Sequence, residues 1–193
     1  MELISNLLEL DGNLLLWIQE FLRQEWMTPF WKGITFLGNA GWFWIALSIL
    51  LLLPKKTRKL GIAGLIALAI GALITNVALK NLVARTRPYE VVEGLTLLVG
   101  KQSDFSFPSG HSCASFAAAT AYYKMAPKGH RKWGVLALVL AGLIAFSRLY
   151  VGVHYPTDVI AGIAIGVISG ILAWMILKKI DEIMDKKIEK RES

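Results

Sequence analysis

The chain has 193 residues, 55% of them apolar, and a formal net charge of +7; its mean hydropathy is +0.52. So apolar a chain of single-domain length falls outside the ordinary soluble class and points to a membrane protein. The basic balance would also suit nucleic acid, but that needs a solvated basic surface, and here the cations stand between apolar runs, so that partner is set aside.

Met1-Glu2-Leu3 lack the basic start of a secretory signal and no small-residue cleavage site follows a short apolar run, so the N-terminus is expected to be retained. From Asp11 to Gln24, Leu14, Leu15, Ile18, Phe21 and Leu22 share one helical face, with Asn13, Gln19, Glu20 and Arg23 mostly opposite. This predicts an amphipathic interfacial helix within residues 1–26. Trp26 and Trp31 follow it, suited either to an aromatic belt or to core packing.

Uncharged runs long enough to span occur at Gly33 to Leu53, Gly61 to Leu79 and Val159 to Leu177, because about 20 residues cross the hydrocarbon. Gly38-Asn39-Ala40-Gly41 is expected to bend or break the first. Two shorter runs, Ser112 to Tyr123 and Trp133 to Ser147, span only if they extend through His111 and past Arg148. The expectation is an all-α polytopic membrane bundle of about five transmembrane helices, a single domain over residues 1–193 with a basic tail over 178–193. No internal repeat is present, and the lone Cys113 is read as a small packing residue.

Orientation follows from the cations. Lys55, Lys56, Arg58 and Lys59 precede the second span, Lys124, Lys128, Arg131 and Lys132 separate the third and fourth, and Lys178, Lys179, Lys186, Lys187, Lys190 and Arg191 follow the fifth. With alternating spans these clusters share one face, which the positive-inside rule makes cytoplasmic, together with the C-terminus. His130, inside the second cluster, is expected to be a solvated loop residue.

The other face then collects the unusual residues: Lys80 and Arg87-Pro88 after the second span, Phe107 to His111 before the third, Ser147-Arg148 closing the fourth, and His154 and Asp158 opening the fifth. A transferring phosphoryl group spreads negative charge over its oxygens, so its catalysis is mostly positioned cations and N–H donors. Lys80, Arg87 and Arg148 supply cations, the arginines with forks that hold two oxygens. Ser109 and Gly110 open a helix whose first-turn N–H groups favour an anion, although a plain cap explains that tripeptide taken alone.

A neutral imidazole is available near pH 7, so one histidine can attack phosphorus while the other protonates the leaving oxygen. His154 is the expected nucleophile, because Asp158 lies four residues on, with Pro156 starting the helix between them. A carboxylate on one ring nitrogen leaves the other free and stabilises the cation formed on attack. Singly these residues also read as a helix-terminal acid and a turn histidine; together, such ionisable groups in a membrane protein point to function.

The blocks Lys80-x6-Arg87-Pro88, Pro108-Ser109-Gly110-His111 and Ser147-Arg148-x5-His154-x3-Asp158 resemble the three-part signature of the type 2 phosphatidic acid phosphatase (PAP2) superfamily. The resemblance implies a helical membrane core and a two-step reaction without metal or cofactor. His154 would form a phosphohistidine, Asp158 support it, His111 protonate the departing group, and Lys80, Arg87, Ser109, Gly110 and Arg148 hold the phosphate. The acidic cluster that Mg²⁺ needs is missing near these blocks. Many larger members have six spans, whereas this chain begins with an interfacial helix where a first span would lie.

A site at helix ends favours a lipid phosphate from the bilayer over a soluble one. Small members resembling this chain act on undecaprenyl diphosphate, phosphatidylglycerol phosphate or phosphatidate, which rank in that order as expected substrates. A phosphotransferase shares every motif residue. A lipid-headgroup transporter leaves the pairing of His154 with Asp158 without a purpose. Arg85 and Tyr89 flank the first block, suited to a second phosphate, a headgroup or a structural contact, and are not counted in the site. The oligomeric state is not legible.

Overall fold

The computed structural model describes residues 2–192. Among them every regular element is helical. In chain order these are α1 (Glu2–Trp17), α2 (Thr28–Leu37), α3 (Trp42–Leu52), α4 (Arg58–Ala72), α5 (Lys80–Val83), α6 (Pro88–Val91), α7 (Gly110–Met125), α8 (Arg131–Tyr150) and α9 (Pro156–Glu192). Wider π-type turns extend α1 over Ile18–Leu22 and join α4 to α5 over Leu73–Leu79.

Three helical stretches, Arg58–Val91, Lys128–Tyr150 and Pro156–Lys190, are long and apolar enough to cross a membrane, and α2 with α3 makes a fourth if that pair is taken as one bent span. The first apolar run is thus two helices bent by 47° rather than one. The break sits where expected: Ala40 and Gly41 take left-handed φ values of 50° and 67°, which interrupt the helical hydrogen bonding. The third expected span, α7, has only 16 residues, while the fourth, α8, runs past Arg148 to reach 20.

Helix α7 is the central one. It packs against α4, α8 and α9, and its Ala117, Ala118, Ala119 and Ala121 are fully buried. Small side chains on both partners let the backbones close up, which is how helices associate where lipid removes the hydrophobic drive. A Cβ on Gly162, Gly166 or Gly170 of α9 would lie 2.5 to 2.7 Å from the Ser109, Cys113 and Ala117 carbonyl oxygens of α7 and its cap. Cys113 is buried in this seam. Two buried polar pairs tie α3 to α7: Trp44 Nε1 donates to Ser115 Oγ at 2.9 Å, and Ser48 Oγ meets the Tyr122 hydroxyl at 2.7 Å.

The cation clusters gather at one end. Lys59 at the start of α4 pairs with Asp181 late in α9, and Lys124 of α7 and Lys178 of α9 both approach the Trp174 ring. His130 is exposed in the turn between α7 and α8. At the opposite end, α1 lies against the bundle with Leu15 and Ile18 buried, while Leu10, Leu14, Trp17 and Phe21 remain exposed. Gln19 and Arg23 bind the Gly94 and Thr96 carbonyls, which fastens this N-terminal segment to the loop between α6 and α7. Trp31 is a core residue, stacked on Tyr150, whereas Trp26 is exposed.

Candidate active site

At that end, helix ends and the connections between them enclose a cavity of about 370 Å³. Lys80, Arg87, Gly110, His111, Arg148 and His154 all line it. They come from α5, the turn before α6, the first turn of α7, the last turn of α8 and the loop before α9. Positions far apart in the sequence thus meet in one cavity. Below the polar mouth the walls turn apolar, with Ile45, Leu68, Ala72 and Ala114.

His154 sits in the Val151–Tyr155 connection, and its ring is 1% exposed. Its Nδ1 lies 3.5 Å from Asp158 Oδ2, and its Nε2 lies 3.4 Å from Arg87 Nη1. The ring therefore has one nitrogen toward a carboxylate and the other toward the cationic cavity. Asp158 has no exposure at all. Its Oδ2 accepts from Ser106 Oγ at 2.5 Å and from the Tyr155 N–H at 2.9 Å, and its Oδ1 accepts from Arg85 Nη1 at 2.7 Å. The carboxylate reaches His154 because α9 starts at Pro156, so that Asp158 lies in its first turn and faces the loop.

Burial pushes the His154 imidazole down to about 4, with Arg148 and Arg87 adding to the shift and Asp158 opposing it. The ring is therefore neutral at physiological pH, the state a nitrogen nucleophile needs.

Arg87 is oriented by the Val153 and Asp104 carbonyls, each 2.8 Å away. Arg148, 2% exposed, is held by Thr35 Oγ1 of α2 at 2.5 Å. The Asp104 carboxylate bridges Lys80 Nζ and Arg87 Nη2. Burial works to raise the Asp104 carboxyl, but the hydrogen bonds and charges of Lys80 and Arg87 prevail and hold it below the usual carboxylate range.

Two predicted residues lie one layer back. Ser109 caps α7, accepting from the Ser112 N–H at 3.3 Å and bonding Ser112 Oγ at 2.9 Å, while its own N–H donates to the Asp158 carbonyl at 3.0 Å. Asp158 lies behind the His154 ring, on its Nδ1 side. At the mouth, His111 Nε2 meets Asn39 Oδ1 at 3.0 Å, so the break between α2 and α3 delivers the residue that orients this imidazole.

Asp104, Ser106, Asn39, Thr35 and Asp11 also reach the site or the groups behind it without having been singled out in the sequence, and Arg85, weighed there for a second phosphate, a headgroup or a structural contact, pairs with Asp11 and Asp158. Asp104 and Ser106 were within reach, being polar residues just before the Phe107 to His111 block. Among the described residues, no three His, Cys, Asp or Glu side chains are grouped to hold a metal ion.

Residues 59–182 match the PAP2 superfamily. The chain is 36% identical to an undecaprenyl-diphosphatase of Sulfolobus acidocaldarius over 78% of its own length and 75% of the relative's. It is 34% identical to phosphatidylglycerophosphatase B of Bacillus subtilis over 83% and 78%. The crystal structure of a transmembrane PAP2 type phosphatidylglycerolphosphate phosphatase from Bacillus subtilis superposes with a TM-score of 0.74 at 28% identity, covering 93% of this chain and 89% of that one. Aquifex aeolicus LpxE gives 0.72 at 28% identity, covering 83% and 92%. With helical architecture, a phosphate-suited cavity and these similarities agreeing, the chain belongs to the PAP2 superfamily of membrane lipid phosphatases.

Proposed function

We propose that this protein hydrolyses undecaprenyl diphosphate to undecaprenyl phosphate and phosphate, without a metal ion and through a phosphohistidine on His154. The observation that carries the reading is that the His154 ring, neutral and backed by Asp158, lines the same cavity as Lys80, Arg87 and Arg148. The three cations neutralise the equatorial oxygens of the transferring phosphoryl group. Gly110 and the α7 first turn capped by Ser109 add N–H donors along the helix dipole.

In the first step the lone pair of His154 Nε2 forms an N–P bond as the bond to the leaving oxygen breaks, and His111 gives that oxygen a proton. In the second, water attacks phosphorus, the N–P bond returns its pair to Nε2, and His111 takes the water proton. Asp158 stabilises the imidazolium between the steps. The apolar lower wall of the cavity suits the first carbons of a lipid chain.

In the membrane the chain forms a single domain with five spans, in which α7 is a short central one and α1 with Ile18–Leu22 lies in the interface. The site opens on the extracytoplasmic face and the basic end, with the C-terminal tail, is cytoplasmic. The separation of the cation clusters from the site to opposite ends supports this orientation. An outward site suits recycling of a wall-synthesis lipid carrier; phosphatidylglycerol phosphate and phosphatidate follow as alternative substrates.

The test is phosphate release in detergent with excess chelator, from a panel of undecaprenyl diphosphate, phosphatidylglycerol phosphate and phosphatidate, for the natural protein and His154→Ala. The expected result is fastest release from undecaprenyl diphosphate and none from the variant. Release by His154→Ala, or activity that chelation abolishes, overturns the mechanism. Preference for another lipid overturns only the substrate.

A further inference from the structure

We propose that Asp11 of the N-terminal helix and Arg85 are positioning residues for the phosphatase reaction, holding behind Nδ1 of His154, away from the cations of the cavity, an excess negative charge that is balanced when that imidazole becomes a cation. The inference rests on the reading of His154 as nucleophile.

Arg85 lies between α5 and α6 with its guanidinium shared by two carboxylates. Nη2 is 2.8 Å from Asp11 Oδ2, and Nη1 is 2.7 Å from both Asp158 Oδ1 and Thr157 Oγ1. The fork also lies 3.8 Å over the ring of Tyr155, the neighbour of His154. Asp11 in turn accepts from the Thr157 N–H at 3.1 Å and from the Thr157 hydroxyl, so α1 caps the start of α9 from outside that helix. Asp11 is 4% exposed and Asp158 fully buried. Neither carboxylate is a surface group that water screens.

The charges decide the role. With His154 neutral, Asp11, Asp158 and Arg85 sum to one excess negative charge in a poorly solvated place. Forming the phosphohistidine adds a positive charge and brings the group to neutrality. A fixed charge arranged against one that develops during reaction stabilises the transition state more than the ground state. Asp158 and Arg85 alone would be neutral before the reaction and cationic after it. Asp11 supplies the difference, from a helix outside the 59–182 segment that the family covers.

A packing contact and a charge balance predict different outcomes in the acid limb of the kcat profile. His154 is faced by Asp158, Arg87, Arg148, His111, Lys80 and Asp104, and all six are kept in the variants. Asp11→Asn removes the negative charge but retains an oxygen for the Thr157 N–H, so the cap survives. Arg85→Met removes the positive charge, and the double variant removes both.

The test uses the full chain in detergent with undecaprenyl diphosphate or whichever panel lipid it cleaves fastest. The readouts are kcat, KM, pH profiles and thermal unfolding. Asp11→Asn is expected to lower kcat about 10- to 100-fold with KM within about twofold. Its acid limb moves to lower pH by about half a unit or more, that of Arg85→Met moves to higher pH, and the double variant returns toward the natural protein.

An unshifted limb and natural kcat in Asp11→Asn, or limbs that move the same way in both single variants, overturn the proposal. If Arg85→Met loses its unfolding transition, Asp11→Asn decides alone by the same criteria. His154→Ala is run alongside: its activity reports on the nucleophile, so the two failures are told apart.

Discussion

The Asp104 carboxylate sits 2.5 Å from Arg87 Nη2, on the guanidinium proposed to hold the phosphate. It bonds Lys80 as well, so a protein carboxylate occupies the same cation pair that a phosphoryl group would neutralise. Half of the Asp104 side chain is exposed, so it competes with an incoming anion for these cations from the solvent side. Asp104→Asn is therefore expected to strengthen competitive inhibition by inorganic phosphate about three- to tenfold. Inhibition assays on the two proteins at one pH and salt check it, and weaker inhibition in the variant contradicts it.

The pH dependence follows from His154. Its folded value of about 4 lies below the ordinary 6.5, so the acid limb of kcat/KM is expected below pH 6, not near 6.5. Stability follows the same group with a definite sign. Between pH 6.5 and 4 the unfolded chain binds a proton at His154 that the folded chain does not, so stability falls as pH falls across that window. The loss is of the order of 3 kcal/mol and levels off below pH 4. Thermal unfolding in detergent, compared between the natural protein and His154→Gln, isolates this contribution.

His111 and His154 are predicted to fail differently. His154→Ala removes the proposed nucleophile and is expected to abolish release. His111→Ala removes the proposed proton donor, so its defect is expected to shrink when the leaving group departs without protonation. A comparison of an aryl phosphate with an alkyl phosphate checks this, and equal defects on both contradict the assignment.

Arg148 is buried against Thr35 and lines the cavity. Its replacement by Ala is expected to cost about 10²- to 10³-fold in kcat. Lysine restores the charge but not the planar fork, so Arg148→Lys is expected to recover only part of the loss.

Gly166→Ala tests the packing that builds the site. Its Cβ would lie 2.5 Å from the Cys113 carbonyl oxygen, an obstacle on the α7 backbone that no rotamer change removes. A loss of about 1–3 kcal/mol, read as a lower unfolding temperature, is the expected result.

Much of this architecture is written locally. The apolar runs around Leu68 and Ile165, the Pro156 start of α9 and the glycine break at 38–41 each follow from a few adjacent residues, because helix formation and membrane burial depend on nearby side chains. Alternation of the expected spans predicts that Lys80, Arg87, His111, Arg148 and His154 share one end, and they line one cavity. The extent of α7 was less legible, since its small residues suit a neighbouring helix better than lipid and give weak hydropathy.

What the amino-acid order determined, then, is the membrane class, the helical elements and the cluster of cations and imidazoles at one end, all set by short-range chemistry and the period of the spans. Tertiary structure alone decided that Asp11 meets Arg85 across 74 positions and Thr157 across 146, and that Asn39 meets His111 across 72. Such pairs depend on the rotation and depth at which helices dock. Those are set by close contacts such as Gly162, Gly166 and Gly170 against α7, whose partners no local pattern names.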